Sequence, residues 1–255
     1  MSEGVVARLR QRLRHQADLG EVLAGGWTGL GPSELAVRPV YLEGSGTVPL
    51  GELFDLRGEP AGRIRFEGDL ARADRLAAGL AEGEVIVEGS VGAQAGLGMA
   101  GGTLRIQGSA GPLAGAAGPA ARRGMTGGEL IIRGSAGAET GARMRRGLLA
   151  IGGQAEAYAG HAMIAGTILI FGDAGPDVGL WSKRGSVVAL GAIEIPATYR
   201  YACTYRPAHL GLTLTRLRAR YGLPVKKRHF AGRYHRYSGD LADLGKGEIL
   251  EWTAE

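Results

Sequence analysis

A glycine-bounded phrase recurs seven times and constrains the fold more than any other feature of the chain. Its well-matched copies read GTLRIQGSAG, GELIIRGSAG and GTILIFGDAG. Successive copies are 19 residues apart in most intervals, with 21 residues in the first interval and 26 where an insertion around PAARRGM intervenes. Self-similarity at such a period is typical of architectures in which each repeat packs on the next. The copies begin at Gly62, Gly83, Gly102, Gly128, Gly147, Gly166 and Gly185.

Each copy carries apolar residues at the second and fourth positions after its first glycine, for example Leu104 and Ile106. Alternation of this kind directs apolar side chains to one face of a short strand, and glycine permits a sharp corner at either end. We therefore predict a mainly β fold, a single right-handed parallel β-solenoid (β-helix) of about seven 19-residue rungs. It would span residues 62–195, between an N-terminal cap at 1–61 and a basic C-terminal cap at 196–255.

Methionines form a second column, because one stands three residues before the repeat glycine in four copies. These are Met99, Met125, Met144 and Met163, and the last copy has Ser182 instead. A thioether adapts to irregular gaps, so the column is predicted to fill a corner of the core. A methionine metal site is the weaker alternative.

The flanks offer local signals of their own. Arginines alternate with apolar residues from Ala7 to Arg14, which indicates a strand buried on one face. GPSELAVRPV offers Ser33 as the N-cap of a short helix that stops at Pro39. PATYRYACTYRP and LGLTLTRLRARYG both alternate, and we predict strands for both.

Composition excludes several classes of protein. The single cysteine, Cys203, excludes an internal disulfide framework and suits a reducing compartment, so we expect a cytoplasmic protein. No apolar run reaches the roughly 20 residues needed to cross a bilayer, and no membrane partner is expected.

The outward positions of the last three repeats are apolar, whereas the earlier ones are polar. Such a wall must be covered, either by the chain's own ends or by a partner subunit. The residues assigned to this predicted subunit interface are Leu148, Leu169, Phe171, Val188 and Leu190.

No catalytic or metal constellation is convincing, so no catalytic residue or metal ligand is assigned. Cys203 and His209 lack a third group, the six-position separation of His229 and His235 fits no zinc spacing, and His161 suits packing at a corner. The G-x-G-x-x-G match at Gly96 opens a strand, where a dinucleotide site would open a helix. Enzymatic activity of the chain itself stays uncertain.

Basic residues are the strongest polar signal. Three adjacent pairs, two of them two periods apart, could line one edge of the repeat array and bind an extended anion. Ten further Lys or Arg and no acid lie between Tyr199 and Arg236, which leaves a nucleic-acid-binding module as an alternative that we consider less favourable. The three pairs are Arg122 with Arg123, Arg145 with Arg146, and Lys183 with Arg184.

The phrases GMAGGTLRIQGSAG, GMTGGELIIRGSAG and GTILIFGDAG resemble the G-x-G-x-G domain that occurs in glutamate synthase large subunits and as one subunit of formylmethanofuran dehydrogenase, an oxidoreductase. The flanks GLGPSELAVRPVYL and GDLADLGKGEILEW are similar to the second family, so that resemblance covers nearly the whole chain. Richness in Arg, Ala and Gly favours its bacterial relative, the formyltransferase/hydrolase complex of methylotrophs.

The resemblance implies a role in one-carbon metabolism. Such a complex moves a formyl group from formyl-tetrahydromethanopterin to a methanofuran-type carrier and releases formate at a zinc amidohydrolase subunit. This chain would be the scaffold that joins an amidohydrolase-like, a formyltransferase-like and a further small subunit. It would hold no cofactor of its own, zinc would belong to the partners, and the basic pairs would hold the carrier's glutamate-rich tail.

Other classes stay open on the residues alone. The chain could be a stand-alone assembly module of the glutamate-synthase type, or an anion-binding protein that uses its basic C-terminal segment. A polysaccharide enzyme would need outward acids on one wall, and the candidates Glu67, Glu84, Glu88 and Glu129 fade toward the later repeats.

Overall fold

The computed structural model describes residues 4–254, and its elements confirm a mainly β protein. The strands up to the third repeat are β1 (Val5–Leu9), β2 (Ala17–Asp18), β3 (Pro39–Leu42), β4 (Gly46–Pro49), β5 (Phe54–Gly58), β6 (Arg63–Glu67), β7 (Ala73–Asp74), β8 (Glu84–Val87) and β9 (Thr103–Ile106). The later strands are β10 (Glu129–Ile132), β11 (Leu148–Ile151), β12 (Thr167–Ile170), β13 (Arg184–Ala189), β14 (Arg200–Tyr205), β15 (Arg233–Gly239) and β16 (Lys246–Thr253). The helices are α1 (Pro32–Ala36), α2 (Leu50–Leu53), α3 (Ala208–Tyr221) and α4 (Lys227–Ala231), with a 3-10 turn at Trp27–Gly29.

The seven repeat strands β6 and β8 to β13 pair in parallel, each in register with the next. Leu104 of β9, for example, lies opposite Val85 of β8 and Leu130 of β10. Because the register never slips, the apolar position of one repeat stacks on that of the next, and all three of these leucine and valine side chains are fully buried.

The prediction of a single β-solenoid of seven rungs between two caps is wrong. The repeat strands are part of a 12-stranded sheet in the order β14-β15-β16-β13-β12-β11-β10-β9-β8-β6-β1-β5. Strands from outside the repeat pair with both of its open edges, because β1 and β16 carry the same apolar alternation and satisfy those edges. A second segment of each repeat meets its neighbours only through single bridges, from Leu70–Val91 to Ala155–Ala174, so no second continuous ladder forms.

A smaller sheet lies near the N-terminus. It has four strands in the order β4-β3-β2-β7, so that only β7 comes from beyond residue 61. Two short helices, α1 and α2, contact each other beside it and β5. Helix α1 confirms the predicted short helix, but its N-cap is Gly31 and not Ser33, because the side chain of Glu34 accepts a hydrogen bond from the Gly31 amide.

The methionine column lies in the core, as predicted. Met99, Met125, Met144 and Met163 are all fully buried. Backbone hydrogen bonds link consecutive members of the column to the following repeat, such as the amide of Ile164 to the carbonyl oxygen of Met144 at 2.7 Å.

The C-terminal segment contains one predicted strand and one error. PATYRYACTYRP forms β14, but LGLTLTRLRARYG forms the helix α3 and not a strand. The reason is that Leu210, Leu214, Leu217 and Tyr221 also recur at helical spacing, and all four are buried against the apolar wall of the repeat sheet. Within residues 4–254, no helix is long and apolar enough to cross a membrane.

Candidate anion-binding site

The residues that follow the methionine column lie stacked at one corner of the repeat array. Arg145 and Arg146 follow Met144, and Lys183 and Arg184 follow Ser182, two repeats later. The amide of Lys183 bonds to Met163 and that of Arg145 to Met125, each at 2.8 Å, so the corner keeps the same register throughout. Parallel strands are about 4.8 Å apart, which separates the two basic pairs by about 10 Å.

Glycine makes this corner possible. Gly185, which follows Arg184, has a φ of 96°, and a Cβ there would lie 2.8 Å from the carbonyl oxygen of Gly166. A larger residue would force the two repeats apart and displace the basic pair that precedes it.

A pocket of about 370 Å³, which we call the corner pocket, opens between the two basic pairs. It forms because the intervening repeat has the short Ile164 and Ala165 where its neighbours have long cationic side chains. Leu244, which is 52% exposed, closes one side. The four predicted cations that line the pocket are Arg145, Arg146, Lys183 and Arg184.

One carboxylate neutralises only part of this charge. Lys183 Nζ lies 3.7 Å from Asp243 Oδ2, and both groups are at least partly exposed. Among residues 4–254, Arg145, Arg146 and Arg184 have no carboxylate within ion-pair distance. An exposed ion pair contributes little, so the excess of cations is available to an anionic ligand.

Sequence reasoning missed the last strand as part of this corner. Lys246 of β16 lies opposite Arg184 of β13 and extends the row of cations by one strand. The signal was present, because Lys246-Gly247 precedes an alternating strand just as Arg184-Gly185 does.

The third basic pair is elsewhere. Arg122 and Arg123 are exposed on the insertion and do not line the corner pocket. The structure therefore brings together two of the three predicted pairs.

The apolar wall predicted to meet a partner is covered by the chain itself. Helix α3 and the segment after it contribute Leu210, Leu214, Leu217, Leu223 and Val225 to one cluster with this wall. The five residues assigned to the interface are all buried in that cluster, namely Leu148, Leu169, Phe171, Val188 and Leu190.

The histidine and cysteine candidates are dispersed. Cys203 and His209 are exposed on β14 and α3, whereas His161 lies half-buried beside the ring of Tyr158. His229 is buried among aromatic rings, and the Nδ1 of His235 lies 2.6 Å from the hydroxyl oxygen of Thr204. Within the described chain, no group of three or more His, Cys, Asp or Glu side chains is arranged to hold a metal ion.

The outward acids are engaged in ion pairs. Glu67 bonds to Arg8, Glu88 to Arg65, and Glu129 to Arg216. Burial acts to raise the pKa of Glu84, but hydrogen bonds and charge from Arg105 and Arg63 outweigh it and lower that pKa. Each acid is therefore held as a carboxylate by a neighbouring strand or helix, which is a structural role.

Comparison with known proteins places the chain. No protein-family model matches it, and no curated protein sequence does. It is similar to a chain in the crystal structure of the formyltransferase/hydrolase complex (FhcABCD) from Methylorubrum extorquens in complex with methylofuran, with 34% sequence identity and a TM-score of 0.77. The similarity covers 98% of this chain and 100% of that one. The protein therefore belongs to the same family as this chain of the formyltransferase/hydrolase complex.

Proposed function

We propose that this protein is the scaffold subunit of a formyltransferase/hydrolase complex. The observation that carries the proposal is 34% identity over essentially the full length of both chains, with no large insertion left over for a separate domain. The complex would transfer a formyl group from formyl-tetrahydromethanopterin to a methanofuran-type carrier and release formate.

Its partners in this hetero-oligomer would be an amidohydrolase-like subunit, a formyltransferase-like subunit and a further small subunit. The reacting groups, and the zinc that activates water, would belong to the partners. The continuous sheet and the fully buried inner face of helix α3 give this chain a rigid body suited to holding other subunits at fixed positions.

The corner pocket is our candidate for the carrier's acidic tail. Two pairs of cations about 10 Å apart match a flexible chain with several carboxylates better than a single compact anion. The pocket is shallow and partly exposed, so the tail could be held while the formyl-bearing end of the carrier moves.

Charge reversal tests the carrier site. Arg145→Glu with Arg184→Glu, made in the assembled complex, should weaken binding of the purified carrier at least tenfold at low salt, and rising salt should narrow the difference. Arg122→Glu with Arg123→Glu is the matched control, because it changes the net charge equally on exposed arginines outside the pocket. Equal weakening by both pairs would show a diffuse charge effect and would contradict a defined site.

Affinity purification of the tagged chain from its native cells tests the subunit role. We expect amidohydrolase-like and formyltransferase-like chains in fixed ratio to it, together with formyl-transfer activity. Recovery of this chain alone, with the activity in other fractions, would refute the assignment.

A further inference from the structure

A basic loop follows the first strand, at the far end of the sheet from the corner pocket. Strand β1 ends at Leu9 and β2 begins at Ala17, and the sequence between them includes RQRLRH. We call Arg10–His15 the basic loop. Sequence alternation predicted a strand through this segment, but the chain leaves the sheet after Leu9.

The basic loop is fixed at its start and in its middle. The amide of Arg10 donates to the carbonyl oxygen of Leu53 at 2.9 Å, and its Nε donates to that of Gly51 at 3.1 Å. Leu13 is 6% exposed and packs in the main core. The polar groups of the loop are therefore presented in a set arrangement without the ordering cost of a free loop.

The loop exposes hydrogen-bond donors that no protein group uses. Among residues 4–254, no acceptor is bonded to the amide N–H groups of residues 11 to 15. Successive free amides of this kind are suited to anion oxygens.

Cationic side chains surround the same amides. Arg72 joins the loop because its carbonyl oxygen accepts a 2.8 Å hydrogen bond from the amide of Ala17. Arg12 lies 3.5 Å from Asp69, whereas Arg14 and Arg72 have no carboxylate within ion-pair distance in the described chain. Like charges held this close repel one another, and a bound anion would relieve that cost.

Two adjoining clefts open along the loop. One, of about 320 Å³, is lined by Arg10 to His15 together with Glu52. The other, of about 440 Å³, shares residues 11 to 14 with the first and adds Arg72. Together they offer room for a small ligand with two linked anionic groups.

We propose that the basic loop binds a phosphate-bearing small molecule. Forked guanidinium groups combined with free amides match the several oxygens of a phosphate, whereas a lone carboxylate could use only a few of these donors. The site shares no residue with the corner pocket, so it stands independently of the proposed carrier site.

Calorimetric titration of the full-length chain with inorganic pyrophosphate tests the proposal. We expect saturable binding with a 1:1 ratio, and Arg14→Gln with Arg72→Gln should weaken it at least tenfold. Both arginines are exposed, and a thermal melt of the variant checks that its fold is retained. Arg122→Gln with Arg123→Gln removes the same charge elsewhere and should leave the affinity within twofold.

Citrate in place of pyrophosphate separates phosphate recognition from general attraction of anions. It should bind at least tenfold more weakly. Citrate binding as tight as that of pyrophosphate, the same loss in both arginine pairs, or no heat of binding at millimolar pyrophosphate would each overturn the proposal.

Discussion

The hydroxyl groups of Ser182 and Tyr199 lie 2.6 Å apart in the buried end of the repeat core. Tyr199 donates to the carbonyl oxygen of Gly179 at 2.9 Å, so Ser182 acts as donor to Tyr199. Burial, which outweighs the hydrogen bond from Ser182, raises the pKa of Tyr199 to about 12. This contact explains why the methionine column ends, because the ring of Tyr199 occupies the space that a thioether fills in the earlier repeats.

Restoring methionine at this position should destabilise the protein. Ser182→Met would force a long side chain against Tyr199 and leave its hydroxyl with a single partner, at a cost of about 2 kcal/mol or more. Ser182→Ala, which only removes the hydroxyl, should cost about 1 kcal/mol. Urea unfolding of both variants measures the difference, and equal stability of the methionine variant and wild type would contradict this explanation.

A polar clamp fastens α3 to the repeat sheet. The hydroxyl of Tyr221 donates to the Glu129 carboxylate, which also contacts Arg216 Nη2 at 2.5 Å. Burial, together with the bond to Glu129, raises the pKa of Tyr221 to about 12. Glu129→Ala should lower the free energy of unfolding by about 1 to 2 kcal/mol, because it leaves a buried hydroxyl unpaired.

Glu194→Ala is the control for the clamp, because Glu194 is exposed and its side chain has no bonded partner in the described chain. It should change stability by less than about 0.5 kcal/mol. Similar effects of the two substitutions in chemical denaturation would show that the clamp contributes nothing specific.

Two leucines on opposite faces of α3 test what covers the apolar wall. Leu217 is fully buried against the wall, whereas Leu212 is 80% exposed. Leu217→Ala should cost about 3 kcal/mol through lost burial and a cavity, and Leu212→Ala less than about 0.5 kcal/mol. Thermal melts compare them, and the reverse ranking would show that α3 does not sit on the wall in solution.

His229 should make the protein sensitive to acid. Burial, with the charges of Arg228 and Lys226, lowers its pKa to about 4, so it is neutral in the folded protein at pH 5 to 7. The unfolded chain binds a proton there below pH about 6.5, and stability is therefore lost as the pH falls from about 6.5 to 4.

The size of this loss should be about 2 kcal/mol. Urea titrations at pH 7.5 and 4 should show a smaller loss for His229→Gln than for wild type. His209→Gln, a change at an exposed histidine, should keep the wild-type dependence. An unchanged pH dependence in the His229 variant would refute this role.

The repeat strands could be predicted because alternation and a fixed period act together. Leu104, Leu130 and their counterparts stack as the sequence indicates. The extent of the sheet could not be predicted, because pairing of β1 and β16 with its edges joins residues far apart in the chain. Helix α3 was mistaken for a strand because LGLTLTRLRARYG satisfies both periods, and only its contact with the wall decides between them.

The corner pocket was predictable in part for the same reason. A fixed repeat register placed Arg145 and Lys183 on one edge, and they do lie at one corner. Arg122 could not be placed, because the insertion that carries it departs from the period. The basic loop gave no such signal, since its alternation imitated a strand.

Native mass spectrometry of the complex from cells with and without this chain tests the scaffold role most directly. The account predicts one assembly that contains this chain and its amidohydrolase-like and formyltransferase-like partners. Without the chain, those partners should be found in separate, smaller species and formyl transfer between them should be lost. An intact, active assembly of the partners in cells that lack the chain would contradict the account.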